Sequence, residues 1–138
     1  MSALVDIEGA LKTWLKANAV VSPLVGGRVF LGMPRGGPSS WPVIVLYRVG
    51  GGPVSSADYP NDEATVQFDV WGDIGGKVAC FAVTSALIST LHGLVCGTML
   101  DNEVRVLGAY GFSAVWLPDP ETGRSRYAVT CVISAQST

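Results

Sequence analysis

The sequence predicts an α+β fold in which two helices pack on one face of a mainly antiparallel sheet of four to five strands. Residues 3–18 and 74–92 carry apolar residues at the three- and four-residue spacing of amphipathic helices. Residues 64–70 alternate between apolar and polar side chains, which is typical of a strand with one buried face. The length of 138 residues favours one domain covering residues 1–138.

Helix boundaries follow from local chemistry. The first helix is expected to stop near Asn18, because β-branched Val20 and Val21 followed by Pro23 disfavour its continuation. The second is expected to end at His92, before Gly93. Its predicted apolar side comprises Cys80, Val83, Leu87 and Leu91, widened by Phe81 and Ile88.

The remaining segments have strand or loop patterns. Residues 43–49 are so continuously apolar that both faces of this strand are expected to be covered, with Pro42 at its start. Gly108 and Gly111 indicate a bulge in the strand that they interrupt. Strands are predicted at 28–31, 43–49, 64–70, 103–117 and 126–135, and loops at 32–40, 50–62 and, as a hairpin turn, 118–124.

The composition favours a protein that assembles with other subunits over one that spans a membrane or binds nucleic acid. Apolar residues make up 49% of the chain and charged residues only 14%, so subunit interfaces are expected to cover the excess apolar surface. The longest apolar run, Trp41–Tyr47, is far shorter than the roughly 20 residues that span a membrane. No signal peptide is evident. A net charge of −2 without basic clusters disfavours tight binding of nucleic acid.

No catalytic, cofactor-binding or metal site is predicted, and the chain is not expected to be an enzyme. The segment Gly72–Val78 resembles a phosphate-binding loop, but Val78 stands where magnesium binding needs a hydroxyl. An ordinary strand-to-helix turn with Asp73 as the helix cap is favoured. Gly93 separates His92 from Cys96, and two ligands do not fill a tetrahedral metal site. The three cysteines are expected to be free, buried thiols.

Charged and aromatic residues in the predicted loops and strand ends are the candidates for intersubunit contact. Their carboxylates are expected to be solvated, with weak cation binding or ion pairing to arginines of a neighbour as the alternatives. The tryptophans at strand ends fit a core or an interface anchor equally well. The predicted interface residues are Arg28, Arg35, Trp41, Ser55, Asp58, Tyr59, Asp62, Asp119 and Arg124.

Three segments in a fixed order carry a family resemblance. They are Leu-Val-Gly-Gly-Arg-Val-Phe at 24–30, Trp-Pro-Val-Ile-Val-Leu-Tyr-Arg at 41–48 and Val-Gln-Phe-Asp-Val-Trp-Gly at 66–72. With the helices on either side, this order resembles the tail-terminator (tail-completion) proteins of long-tailed bacteriophages over nearly the whole chain.

The resemblance implies a virion structural protein, made in the host cytoplasm, at the head-proximal end of the tail. Such proteins form a ring, usually a hexamer, that caps the tail tube and docks it to the head connector. The implied partners are further copies of the chain, the tail tube protein and the connector proteins, with DNA passing through unbound. The alternatives are a head-completion adaptor or minor tail protein and, less favoured, a small cytoplasmic enzyme or binding module.

Overall fold

The computed structural model describes residues 5–54, 61–101 and 103–137. Five strands form one sheet in the order β1-β2-β3-β5-β4, in which β1 runs parallel to β2 and the other neighbours are antiparallel. The predicted α+β class with a mainly antiparallel sheet is therefore confirmed. The elements are α1 (Ile7–Ala17), α2 (Val21–Val25), β1 (Val29–Phe30), β2 (Val43–Val54), β3 (Asn61–Ile74), α3 (Lys77–His92), β4 (Val104–Trp116) and β5 (Arg124–Ser137).

The helices cover the sheet face that carries the predicted apolar alternation of β3. Side chains of Ala64, Val66, Phe68 and Val70 are buried there against the helices. The polar positions between them, apart from Asp69, retain some exposure. The expectation that both faces of β2 are covered at its start is also confirmed, because four consecutive residues, Val43 to Leu46, are buried.

The N-terminal helical region contains one helix more than predicted. A side-chain oxygen of Asp6 accepts a hydrogen bond from the Gly9 N–H (3.1 Å) and caps α1. Beyond α1, the side-chain oxygen of Asn18 accepts from the N–H groups of Val20 and Val21, both at 2.9 Å. This arrangement starts the five-residue helix α2. Pro23 is tolerated in its first turn, where a missing N–H breaks no helical hydrogen bond.

The prediction of one long loop over residues 50–62 is wrong. Residues 50–54 continue β2 and pair with residues 61–65 of β3. The glycines that suggested a loop instead form an irregular strand with a register shift between Arg48 and Gly50. Gly51 has a φ of +83°, and a Cβ there would overlap the carbonyl oxygen of Glu63, so this close strand pairing needs glycine.

Asp62 is buried rather than solvated, contrary to the prediction. Its side chain is 1% exposed and accepts two hydrogen bonds from the Arg48 guanidinium, at 2.6 and 2.5 Å. Its Oδ2 also accepts from the Val5 N–H at 2.9 Å. These bonds, led by those from Arg48, hold the pKa of Asp62 below its usual value. Asp62 therefore ties the chain before α1 to the β2–β3 hairpin.

The start of α3 differs from the prediction, whereas its end agrees. Strand β3 runs through Ile74, and the helix begins at Lys77 with Gly76 at the cap position. Asp73 does not cap it: its Oδ1 accepts from the N–H of the next residue at 2.8 Å. The helix ends at His92, before Gly93, as predicted.

The C-terminal hairpin agrees with the sequence analysis. The register of β4 against β5 shifts at Gly108 and again around Gly111, which confirms the predicted irregularity. Residues 117–123 form the turn, closed by a hydrogen bond from the Asp119 N–H to the Arg124 carbonyl oxygen (3.0 Å). Of the three thiols, Cys80 and Cys131 are buried as predicted, but Cys96 is exposed because it lies in the turn segment after α3.

We expect Asp62→Asn to destabilise the fold by about 3 kcal/mol, because it leaves the partly buried Arg48 guanidinium without its counter-charge. Urea unfolding at pH 7 measures this. The matched control is Asp73→Asn, which removes an exposed ion pair with Arg124 and should cost at most about 1 kcal/mol. Equal losses for the two variants would contradict a stabilising role of the buried pair.

The same pair makes stability depend on pH. Because the folded pKa of Asp62 is lowered, its contribution is complete above the unfolded value of about 3.9 and is lost as pH falls through the folded value. Asp62→Asn should therefore lose less stability than the wild type between about pH 4 and pH 2. Parallel pH profiles for the two proteins would contradict this prediction.

Candidate assembly surface

Three of the four tryptophans lie at one end of the sheet, which we call the tryptophan end. Trp41 precedes β2, Trp71 lies near the end of β3, and Trp116 ends β4. The strand register places Trp71 and Trp116 at the same level of the sheet but on opposite faces, since Trp71 pairs with Arg126 of β5 and Trp116 pairs with the next residue, Tyr127. Each of the three indoles is partly exposed. The three side chains are therefore neither fully buried in the core nor fully exposed at the surface.

Each tryptophan of this end carries a cation over its ring. The guanidinium of Arg124 lies 4.2 Å from the ring centroid of Trp41. The guanidinium of Arg126 lies 4.9 Å from that of Trp71. The Lys77 ammonium lies 4.8 Å from the ring of Trp116. Exposed cation–π contacts of this kind contribute about 0.5–1 kcal/mol each, so they modestly favour the observed orientations of the rings.

Three predicted interface residues meet at the tryptophan end. Arg124 contacts Trp41 and also pairs with Asp73 at 3.2 Å. Arg28 directly precedes β1, and its Nε donates to the carbonyl oxygen of Pro42 at 3.2 Å. Arg28, Trp41 and Arg124 therefore occupy one contiguous region, although the sequence separates them by up to 96 positions.

Asp119 lies in the neighbouring β4–β5 turn and organises it. Its Oδ1 accepts from the Glu121 N–H at 3.1 Å, and its Oδ2 accepts from the Thr122 hydroxyl at 2.7 Å. The Thr122 hydrogen bond, followed by that from Glu121, lowers the pKa of Asp119. Its carboxylate is therefore engaged within the turn.

The other predicted interface residues lie elsewhere. Arg35 is exposed in the connection between β1 and β2. Asp62 is inside the subunit and bonded to Arg48, so its carboxylate is not presented to solvent. Ser55, Asp58 and Tyr59 lie outside the described residues.

Large apolar side chains that were not predicted to lie at the surface are exposed at the end of β3 and in the first turns of α3. Val78 is 85% exposed, Ile74 65% and Phe81 57%. Phe81 was predicted to widen the buried side of α3, and that prediction is wrong: its ring contacts Tyr127 from outside, with centroids 6.1 Å apart. Because α3 is apolar on both its buried and its exposed sides, periodicity alone could not identify the exposed one.

A polar cluster occupies the middle of the sheet face without helices. The Tyr47 hydroxyl donates to Oδ2 of Asp69 at 2.8 Å, and Gln67 donates to its Oδ1 at 2.9 Å. Arg126 pairs with the same carboxylate at 3.5 Å. Burial, followed by the bond to Asp69, raises the pKa of Tyr47. The charges of Asp69 and Arg126 thus compensate each other within the subunit.

The His, Cys, Asp and Glu side chains of the described residues are spread over the fold. The described residues contain no group of three or more His, Cys, Asp or Glu side chains arranged to hold a metal ion. His92 stacks on Phe112, with ring centroids 4.1 Å apart, at the end of α3. Within the same ranges, no helix has the length and apolar character needed to cross a membrane.

Comparison with known proteins identifies the family. A family model described as "Tail completion protein gp17" matches residues 9–134. The chain belongs to this family. The resemblance to tail-completion proteins is thereby confirmed, and the protein is a structural component of phage-like virions, in the tail or at the head–tail junction.

A solved structure shares the fold. A chain from the "Virion of native gene transfer agent (GTA) particle" superposes with a TM-score of 0.77 at 20% identity, over 94% of this tail-completion protein and 94% of that chain. No curated protein matches the sequence significantly. The fold is therefore found in a virion-like particle.

Proposed function

We propose that this tail-completion protein forms a closed ring, a hexamer as the resemblance implies, that caps the finished tail tube and joins it to the head connector. The observation that carries the proposal is the family match over residues 9–134. A ring requires a head-to-tail interface between two different surfaces of each copy. The ring's partners are then the tail tube protein on one side and the connector proteins on the other.

The exposed apolar surface supports this role. Ile74, at the end of β3, and Val78 and Phe81, in the first turns of α3, are exposed. Phe81 contacts Tyr127, which in turn contacts the partly exposed Trp116. Soluble monomers rarely leave large apolar side chains grouped in this way, and interfaces are enriched in aromatic residues. The tryptophan end, with Arg28, Trp41 and Arg124, is accordingly the favoured contact with a neighbouring protein.

The charge distribution suits a channel through which DNA slides. The net charge is −2, and several cations already have partners within the subunit. Arg48 pairs with Asp62, Arg124 with Asp73, and Arg126 with Asp69. A protein that held DNA would instead present free cations to displace counterions from phosphates. We infer that DNA passes without specific binding.

Electron microscopy of lysates from the parent phage with an early stop codon in this gene tests the proposal. We expect full heads beside unattached tails of abnormal length, because termination and joining fail together. Tails of normal length that do not join would instead indicate a head-completion adaptor. Intact, infectious virions would exclude a structural role in the tail.

The apolar surface can be tested separately by Val78→Glu in a plasmid copy that complements the stop-codon phage. The side chain is exposed and lies near the helix N-terminus, where a carboxylate is favourable, so the fold should be unaffected. Titres should nevertheless fall to the level of an empty plasmid, because the new charge would be buried at the contact.

Thr13→Glu is the matched control for this variant. It adds the same charge at an exposed position of α1, away from the tryptophan end, and should complement fully. Thermal unfolding of both purified variants establishes that they are folded. Full complementation by Val78→Glu would exclude this part of α3 from the essential contacts.

A further inference from the structure

The outer edge of β4 is open along its second half. Near its start, residues 97–100 cover the edge: the Gly97 N–H donates to the Val106 carbonyl oxygen and the Val106 N–H donates to that of Thr98, both at 2.8 Å. Past Gly108, no strand of the described residues pairs with this edge. The sheet therefore ends in unpaired backbone groups.

The hydrogen-bond pattern shows which groups are unpaired. The Leu117 N–H donates inward, to the Arg126 carbonyl oxygen, at 2.9 Å. Since inward and outward groups alternate along an antiparallel strand, the N–H and C=O groups of Ala114 and Trp116 point away from β5. Ser113, Ala114 and Val115 are exposed, and their side chains alternate between the two faces of the sheet. Within the described residues, no side chains packed on either face therefore cover this edge.

This edge lacks the usual protection against pairing. Natural edge strands carry charged residues or proline that block the approach of another strand. Residues 106–117 contain no charged residue and no proline. The two bulges lie before Ser113, and from there to Trp116 the register with β5 is regular.

A second open edge lies on the opposite side of the same sheet. Strand β1 pairs only with Ile44 and Val45 of β2. Beyond Val45, no strand in the described ranges covers the outer edge of β2. Val49 is exposed there. Residues 46–52 contain no proline, and their one charged residue, Arg48, pairs with Asp62 inside the subunit and donates through Nε to the Gly50 carbonyl oxygen at 3.2 Å.

We propose that the β4 edge of one copy, at Ser113–Trp116, pairs with the β2 edge of the next copy, at residues 46–52. The occupant is a second copy because each chain carries both open edges, on opposite sides of one sheet. Pairing between two different edges is head-to-tail and can close into a ring. The inference deepens the proposed ring and rests on it.

The variant that tests the edge directly is Ala114→Pro, compared with Ala114→Ser. Proline removes the outward N–H without removing a hydrogen bond to β5, and edge strands tolerate it. Serine changes the side chain but keeps the N–H. Sedimentation over a range of concentrations should show that wild type and Ala114→Ser associate alike, whereas Ala114→Pro dissociates at concentrations at least about tenfold higher.

Cross-linking identifies the two edges that meet. Burial raises the pKa of Cys80 to about 11 and that of Cys131 to about 12, so only exposed Cys96 must be removed, as Cys96→Ser. In that background, Val49→Cys together with Ala114→Cys should give a ladder of covalent oligomers with a short bis-maleimide. Either cysteine alone should give none. Strands β2 and β4 lie three strand spacings apart, about 14 Å, so a short linker cannot bridge them within one copy.

The outcomes of these experiments distinguish failure of the edge pairing from failure of the proposed ring. A wild type that stays monomeric at every concentration would overturn both the ring and the edge pairing. An oligomeric wild type whose Ala114→Pro variant is folded by circular dichroism and associates normally would overturn only the edge pairing. Cross-linked dimers from Ala114→Cys alone would show β4–β4 contact and would also overturn it.

Discussion

The structure depends on one constraint: a chain that is 49% apolar and only 14% charged forms a five-stranded sheet with helices on a single face. One layer of helices buries one face and leaves apolar residues at the sheet end and on the outside of α3. The few charged side chains cannot cover this apolar surface. Exposed apolar surface and open strand edges are both consequences, and association with other proteins is the physical way to remove them from water.

Internal ion pairs and cation–π contacts connect separate segments of the subunit. Asp62 joins the segment before α1 to the β2–β3 hairpin through Arg48 and Val5. At the other end, Arg124 and Arg126 hold the indoles of Trp41 and Trp71 in place. Charges that pair within a copy do not have to be desolvated without a partner when two copies come together.

The fold could be predicted from the sequence wherever a periodic pattern had one physical meaning. The alternation in β3 and the glycines that interrupt β4 gave correct elements. The extension of β2 through Gly50–Val54 could not be predicted, because glycine-rich sequence usually means a loop and only the partner strand shows otherwise. The burial of Asp62 could not be predicted either, because it depends on an ion pair with Arg48, fourteen residues away. The exposure of Phe81 depends on which side of the apolar helix α3 faces the sheet, and the sequence pattern does not show this.

The central claim, that this protein closes the tail as a ring, is tested most directly by a cryo-electron microscopy reconstruction of the head–tail junction of the virion. The account predicts a closed ring of this fold between the last layer of the tail tube and the connector, with the tryptophan end in contact with a neighbouring chain. A protein present as a single copy, or located at the distal tip of the tail, would contradict it.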